Sequence, residues 1–277
     1  MNSLKQKLKK LHQILKDSKG VVIAFSGGVD SSLLLKIAQE ELKRDKVLAV
    51  TACSPLYPAR EIKSARRFTE TWGMRHIFIK SNELQNRNFI KNAPNRCYLC
   101  KKNLFAHLRK IARSNHLAWM MDGTNFDDLS DYRPGRRAAQ ELNVRSPLAE
   151  VGLTKKEIRK IAKDLGLPNY DKPSLACLAS RIPYGIKITQ VLLQRIEKAE
   201  NSLRDLGFNQ VRVRDHQEIA RIEIEKGEMK KLLQKNKFQQ IISKLKELGY
   251  RYVTLDLEGY YTGSLNPITN PNIKNTN

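Results

Sequence analysis

The chain has 277 residues, and its 51 lysines and arginines exceed its 28 aspartates and glutamates to give a formal charge of +23. This length suits one large domain joined to a smaller one. No run of about 18 apolar residues occurs, and a lysine-rich amphipathic segment comes first, so we expect no membrane span or signal peptide and a cytoplasmic protein. The positive charge would attract phosphate-bearing ligands, although lysines on solvated helix faces explain it equally well.

Strand-like and helical patterns alternate along the chain up to about Pro183. Leucines at helical spacing predict a helix over residues 1–16. The predicted strands are Val21–Phe25, Val47–Ala52, His76–Lys80 and Leu117–Asp122, and the predicted helices between them are Ser31–Arg44, Ala59–Trp72 and Lys101–Ser114. This alternation predicts an α/β domain over residues 1–185: a parallel sheet with helices on both faces and ligands at the carboxyl ends of its strands.

The pattern changes after a loop over residues 169–185. Before it, a capping-box sequence at Thr154 predicts a helix that ends near Gly166. Beyond it, a small α+β domain is predicted over residues 186–266, with helices over 189–206 and 230–248 and strands over 210–215, 218–225 and 252–257. Residues 267–277 are polar and predict a flexible tail.

A loop rich in glycine and serine, SGGVDSS, follows the first predicted strand. Glycine lets the backbone approach a ligand closely, and the free N–H groups of the helix that follows attract anions. No lysine follows the second glycine, so this is not the GxxxxGK[ST] phosphate loop. We predict a phosphate site of another type, formed by Ser26, Gly27, Gly28, Asp30, Ser31 and Ser32.

Acidic residues follow the fourth predicted strand, at the sheet edge where the loop 26–32 is also expected. Asp127, Asp128 and Asp131 could bind Mg²⁺ together with Asp30, because Mg²⁺ on a nucleotide prefers one or two carboxylates. A cluster of loop and N-cap residues is an equally good interpretation.

Four cysteines are too few and too scattered for a disulfide framework. Cys97 and Cys100 stand three apart at the start of a predicted helix, which places both sulfurs on one face near its positive end. With Cys177 as a third thiolate the pair fits an iron–sulfur cluster, and the alternatives are a zinc site, a redox pair or an incidental spacing. Cys177 has Lys172 and Arg181 as basic neighbours that would lower a thiol pKa, although a lone loop cysteine is more often inert.

Arginines alternate with valines in the first strand predicted for the small domain. Arg212 and Arg214 therefore share one face of that strand, and Arg221 and Glu223 take the same alternation in the next strand. Two or three arginines on one sheet face make a phosphate receptor. The alternative is a solvated sheet face with salt bridges.

Together these motifs resemble the LarE family, the pyridinium-3,5-biscarboxylic acid mononucleotide sulfurtransferases of the ATP pyrophosphatase superfamily. SGGVDSS alone indicates only the superfamily, whereas ACLASRIPYG and VRVRDH are narrower signals. The motifs cover residues 21–266 and are SGGVDSS, DGTNFDDLSDYRPG, RSPLAEVGLTKKEIR, PSLACLASRIPYG, VRVRDHQEIARIE and YVTLDLEGYYTGSLN.

The resemblance implies an enzyme that uses ATP and Mg²⁺. A substrate carboxylate attacks the α-phosphate, pyrophosphate leaves, and sulfur then replaces AMP, on the route to the nickel-pincer cofactor of lactate racemase. The substrate is a small phosphorylated pyridinium mononucleotide, and relatives form homo-oligomers. For ATP the resemblance implies Thr124 and the loop residues named above, of which Asp30 also acts in catalysis. It implies Asp30 and Asp128 for Mg²⁺. The substrate phosphate is assigned to Arg181, Arg212 and Arg214, and Glu200 and Glu223 are further site positions.

The family has two sulfur sources. In one branch the cysteine that matches Cys177 gives up its own sulfur, and in another three cysteines hold a 4Fe–4S cluster that carries an extra sulfide. This chain has Cys97 and Cys100 besides Cys177 and therefore matches the cluster pattern. Cys53 is interpreted as structural.

The rival readings are a 4Fe–4S-dependent tRNA thiolase and a ligase of the NAD-synthetase type. The thiolase is disfavoured because the chain lacks flanking zinc-ribbon cysteines and an evident RNA-binding domain, so we expect no nucleic-acid partner. The ligase would leave the three cysteines without a role.

Overall fold

The computed structural model describes residues 3–129, 134–173, 176–234 and 236–261. Asp131, named above for Mg²⁺, and the predicted tail over residues 267–277 lie outside these ranges. The chain separates into two compact units, one of residues 1–89 and 93–175 and the other of residues 90–92 and 176–277. Residues 176–185, which the sequence analysis assigned to the first domain, make their contacts within the second unit.

The first unit contains a five-stranded parallel sheet with the strand order β3-β2-β1-β4-β5. All four strands predicted in this unit are present, and a fifth strand of only two residues carries too short a pattern to be recognised in the sequence. The strands are β1 (Val21–Ala24), β2 (Val47–Cys53), β3 (His76–Lys80), β4 (Trp119–Asp122) and β5 (Val144–Arg145).

Helices cover both faces of this sheet. They are α1 (Leu4–Ser18), α2 (Val29–Glu41), α3 (Ala59–Thr71), α4 (Arg87–Ile90), α5 (Arg96–Ser114), α6 (Gly135–Glu141), α7 (Pro147–Glu150) and α8 (Lys155–Asp164). Val21 and Ile23 enter one core with α1, α2 and α8, while Val22 enters a second core with α5 and α6. The alternation of side chains along β1 thus separates the two cores, and the predicted α/β class is confirmed.

The helix boundaries shift in ways that matter for the site. Helix α2 begins at Val29 and not at Ser31, so its N-terminus lies inside the glycine-rich loop. Helix α5 begins at Arg96 and not at Lys101, so both Cys97 and Cys100 lie in its first turns. The capping box at Thr154 is present and opens α8 as predicted.

The second unit packs helices against a three-stranded sheet of order β6-β7-β8. Its elements are α9 (Gln190–Asp205), β6 (Val211–His216), β7 (Ile219–Ile224), α10 (Lys237–Glu247) and β8 (Tyr252–Leu255). The helix predicted over residues 230–248 begins only at Lys237, because Asn236 has a φ of 69° and separates α10 from a 3₁₀ helix at Lys226–Leu233. Within the described ranges, no helix is long and apolar enough to cross a membrane.

Candidate functional site

The loop after β1 is held by its own hydroxyl groups. Ser31 donates to the carbonyl oxygen of Gly28 at 3.1 Å, and Ser26 Oγ lies 3.2 Å from Ser31 Oγ and accepts from the Gly28 N–H at 3.3 Å. Gly28 caps α2 without a side-chain hydrogen bond, and the first N–H groups of a helix have no intrahelical acceptor. These N–H groups and the positive end of the helix suit a bound anion.

The carbonyl group of Gly27 is fixed by two side chains from the segment that follows α8. Asn169 Nδ2 donates to it at 3.1 Å and Lys172 Nζ at 3.3 Å. Asn169 also donates to Ser32 Oγ at 2.8 Å, and Ser32 is completely buried. Lys172, which the sequence analysis treated as a neighbour of Cys177, therefore supports the glycine-rich loop.

Gly27 itself fits tightly against α3. Its φ is 70°, and a Cβ placed on it would lie 3.1 Å from the Cβ of Ala65. Both the backbone conformation and the space require a residue without a side chain at this point.

Carboxylates collect around Asn125, just beyond β4. Asn125 Nδ2 donates to Asp30 Oδ1 at 3.3 Å, and its backbone N–H donates to Asp128 Oδ2 at 3.1 Å. Lys155 forms an ion pair with Asp30, and its backbone N–H donates to Asp127 at 2.8 Å. Asp30 and Asp128 thus meet at a common neighbour. This fits Mg²⁺ held mainly by nucleotide phosphates with one or two carboxylates.

The residues after β4 press directly on the start of α2. A Cβ on Gly123 would lie 2.8 Å from the backbone nitrogen of Ser31. Thr124 donates to Asp122 through its N–H at 3.1 Å and its hydroxyl at 3.0 Å, and Ser146 donates to the same carboxylate at 2.7 Å. The candidate ATP residue Thr124 is therefore oriented by Asp122.

A chain of hydrogen bonds supports the residue that precedes the glycine-rich loop. Thr51 Oγ1 donates to the carbonyl oxygen of Phe25 at 2.6 Å, and His76 bridges Thr51 and Thr69 with two contacts of 2.8 Å. Burial lowers the pKa of His76 to about 4, and the nearby positive charge of Arg66 acts in the same direction. A neutral imidazole therefore holds this part of the loop near pH 7.

The cysteines are not in disulfides within the described residues. Cys97 is exposed, whereas Cys100 is half-buried, with Sγ at 3.8 Å from both Tyr57 Oη and Glu83 Oε1. Cys177 belongs to the second unit and precedes a 3₁₀ helix at Leu178–Arg181. In the part of the chain that the structure describes, no three His, Cys, Asp or Glu side chains converge as a metal-binding group. Cys97 and Cys100 lie three residues apart in the first turns of α5.

Two buried ion pairs dominate the second unit. Arg181 binds Glu200 through Nε at 2.7 Å and Nη2 at 3.2 Å, and Arg214 binds Glu223 through the same two atoms at 2.8 and 2.7 Å. Burial works against the charge of Arg181, yet Glu200 raises the pKa of this guanidinium above its usual value. Burial likewise opposes the Glu200 carboxylate, but Arg181 lowers its pKa to about 2. The Arg181–Glu200 pair is therefore charged.

Arg212 differs from its two neighbours. It is 4% exposed, lies 4.5 Å from the ring centroid of Tyr260, and has no carboxylate partner among the described residues. Burial lowers its pKa to about 10, and repulsion from Arg181 and Arg214 adds to this. A bound anion would relieve both effects. Because Arg212 and Arg214 are both buried, this sheet face is not solvated, although the salt bridges of the alternative are present at Arg214 and Arg221.

Several site residues were not found from the sequence. Lys155, Asn169, Arg204 and Tyr260 contact the predicted residues, but each lies in an ordinary helical or loop pattern. Lys155 and its partner Asp30 stand 125 residues apart, and no spacing rule links positions that distant.

Comparison with known proteins identifies relatives that match nearly the whole chain. A family model described as NAD synthase matches residues 1–126. An uncharacterised protein of Synechocystis is 43% identical over 96% of this chain and 98% of its own length. The pyridinium-3,5-bisthiocarboxylic acid mononucleotide synthase of Lactiplantibacillus plantarum is 39% identical over 96% of both chains. A protein of Methanocaldococcus jannaschii is 36% identical over 94% of both.

The tight fit of Gly27 leads to a stability prediction. Gly27→Ala and Gly73→Ala both place a side chain at positive φ, which costs about 1–2 kcal/mol. Only the Gly27 variant also meets Ala65, because no atom lies within 4 Å of a Cβ on Gly73. We expect Gly27→Ala to lose about 1 kcal/mol more free energy of unfolding in urea titrations. Equal losses would contradict the packing argument.

The buried His76 leads to a pH prediction. Its pKa is about 4 when folded against 6.5 as the reference value, so its contribution to stability is complete above pH 6.5 and is lost as the pH falls towards 4. We expect His76→Gln to flatten the fall in unfolding free energy between these values. His116→Asn is the control, because His116 is exposed and asparagine tolerates its φ of 53°. A slope unchanged by His76→Gln contradicts the prediction.

Proposed function

The chain belongs to the family of pyridinium-3,5-bisthiocarboxylic acid mononucleotide synthases, the LarE family, and we propose that it inserts sulfur into pyridinium-3,5-biscarboxylic acid mononucleotide at the expense of ATP. The product carries a thiocarboxylate, and two rounds give the bisthiocarboxylate of the nickel-pincer cofactor. The match over 96% of both chains favours this reaction over the tRNA thiolase and the NAD-synthetase-type ligase. As the resemblance implies, we expect a homo-oligomer.

In the proposed first step, a substrate carboxylate oxygen forms a bond to the α-phosphorus of ATP. The bond from that phosphorus to the oxygen bridging to the β-phosphate breaks, and pyrophosphate leaves. The N–H groups at the start of α2 and the hydroxyl of Ser26 bind the phosphates. The buried hydroxyls of Ser31 and Ser32 hold the loop in shape, and Asn169 and Lys172 keep the Gly27 carbonyl in place. Asp30 and Asp128 are the residues that would hold Mg²⁺, which would supply positive charge to the phosphate oxygens.

Lys155 has a specific part in this step. Its ammonium group is paired with the Asp30 carboxylate, which lies beside the phosphate loop. The positive charge of Lys155 offsets the negative charge of Asp30 and so weakens its repulsion of an incoming nucleotide. We propose that Lys155 neutralises Asp30 while the site is empty and pairs with the phosphates when the nucleotide is bound.

The observation that carries the substrate assignment is the buried charge of Arg212, which forms no ion pair with a carboxylate in the described ranges. A phosphate group supplies two negative charges and several acceptor oxygens, which is the ligand that such a guanidinium lacks. Arg181 and Arg214 are committed to Glu200 and Glu223 and therefore orient the site. The pyridinium mononucleotide carries one phosphate, and Arg212 is the one of these three arginines that is not paired with a carboxylate among the described residues.

For the sulfur source we propose a 4Fe–4S cluster held by Cys97, Cys100 and Cys177. When bound through three cysteines, such a cluster supplies an iron with an open position that can hold sulfide. Helix α5 presents its two thiols three residues apart near the helix N-terminus, where thiolates are favoured. The alternative is that the Cβ–S bond of Cys177 breaks and the residue is left as dehydroalanine.

Because Arg212 is buried without a carboxylate partner among the described residues and Arg181 is ion-paired, replacing them is predicted to have different effects. Arg212→Gln leaves no carboxylate unpaired, so we expect unfolding free energy within about 1 kcal/mol of wild type, while the KM for the mononucleotide rises about 10–100-fold because a charged hydrogen bond is lost. Arg181→Gln leaves Glu200 buried without its main partner and is expected to lose about 3–5 kcal/mol of stability. The exposed Arg251→Gln is the control for both measurements. An unchanged KM for Arg212→Gln would remove the phosphate assignment.

The two sulfur sources lead to different outcomes for single cysteine variants. With ATP and substrate, Cys177→Ser is expected to release pyrophosphate but form no thiocarboxylate. Cys97→Ser is expected to do the same if the cluster operates, and to keep one turnover if Cys177 donates its own sulfur. Cys53→Ser is the control.

Two further measurements complete the test. The iron content is assayed in protein purified without oxygen, and the mass of the intact protein is measured after turnover. Iron-bound protein of unchanged mass supports the cluster. Iron-free protein that has lost the mass of H₂S at Cys177 refutes the cluster and establishes the sacrificial route.

A further inference from the structure

A cavity of about 190 Å³ lies in the first unit, between the segment that follows β3 and one side of α5. It has room for several water molecules, and so for a small organic ligand. The polar side chains that line it are Lys80, Asn82, Glu83, Asn86, Asn103 and His107. The proposed function uses none of them.

Glu83 is the first observation that points to a ligand. Its side chain lines the cavity but is only 4% exposed, and its Oε2 atom has no hydrogen-bond partner. The other carboxylate oxygen lies 3.8 Å from the Cys100 sulfur, which is a weak donor. A buried carboxylate oxygen without a donor is energetically unfavourable, so this wall favours a ligand that brings an ammonium group or another N–H donor.

Lys80 lines the same cavity with the opposite charge. It is exposed, and within the described ranges it makes no ion pair or hydrogen bond through its ammonium group. A ligand that was only a cation would be repelled by Lys80, and one that was only an anion would be repelled by Glu83. The two charges together favour a small zwitterion, which brings a carboxylate to Lys80 and an ammonium to Glu83.

The remaining walls indicate the nature of the ligand's side chain. Phe89, Leu99 and Cys100 contribute apolar and sulfur surface, and a polarizable thiol packs well against an aromatic ring. Asn82 and Asn103 have no side-chain hydrogen bonds among the described residues and can serve the polar end of the ligand.

We propose that this cavity binds a small thiol-bearing α-amino acid, with its ammonium group at Glu83, its carboxylate at Lys80 and its sulfur beside Cys100. L-cysteine, with seven non-hydrogen atoms, is the small ligand that carries these three groups. The binding requires neither ATP nor the mononucleotide, so it stands independently of the proposed reaction. If both are correct, the site brings an external sulfur compound next to one of the three cysteines of sulfur transfer.

Calorimetric titration of the full chain, kept reduced with a phosphine and free of ATP, tests the proposal. Three analogues each lack one feature: cysteamine the carboxylate, 3-mercaptopropionate the ammonium group, and L-serine the sulfur. We expect L-cysteine to bind and each analogue to bind at least about tenfold more weakly, because each loses one charged or sulfur contact. Absence of L-cysteine binding, or an analogue that binds equally well, overturns the proposal.

Variants then place the binding in this cavity. Lys80→Met and Glu83→Gln are each expected to weaken L-cysteine at least about tenfold. Lys110→Met, an exposed lysine on α5 outside the cavity, is expected to leave it unchanged. Lys80 is exposed, so its replacement does not endanger the fold. Binding that survives both cavity variants overturns the proposal, and pyrophosphate release with ATP and mononucleotide measures the proposed function separately.

Discussion

The first unit depends on the central position of β1, which pairs in parallel with β2 on one side and β4 on the other. Parallel strands end at the same edge of a sheet, so the segments that follow β1 and β4 must meet there. They meet so closely that only glycine fits at position 123 against the backbone of Ser31. Asn125 then reaches Asp30 across 95 residues of sequence. The candidate ATP site is thus a consequence of strand order.

Buried charge governs the second unit in a different way. Removing two ions from water is costly, and the Arg181–Glu200 and Arg214–Glu223 pairs compensate with bidentate geometry and additional hydrogen bonds. Among the described residues Arg212 has no such partner, and Arg181 and Arg214 repel it. The unit therefore keeps one charge in an unfavourable state that an anionic ligand would relieve. Part of the binding energy of an anionic ligand would come from relieving the unfavourable burial of the Arg212 charge, which the folded protein already contains.

Local patterns were sufficient for much of the fold. The four strands predicted for the first unit and the capping box of α8 depend on side-chain periodicity and neighbouring residues, which the sequence displays directly. The two-residue β5 is too short for such a pattern. The helix predicted over residues 230–248 failed at Asn236, where a left-handed backbone conformation interrupts a continuous helical composition. Boundaries of this kind depend on single-residue conformations that periodicity does not reveal.

For the candidate site, the sequence by itself determined the chemical inventory: the SGGVDSS loop, the acidic segment after β4, three cysteines and an arginine-rich strand. Alternation along β6 also placed Arg212 and Arg214 on one face. Only the tertiary structure decided how these groups are paired. It set Lys155 on Asp30 and Lys172 on Gly27, and within the part of the chain that the structure describes it left Arg212 without a carboxylate partner. The physical reason is that a charge's partner and its burial depend on distances between remote segments, which folding sets and local spacing does not encode.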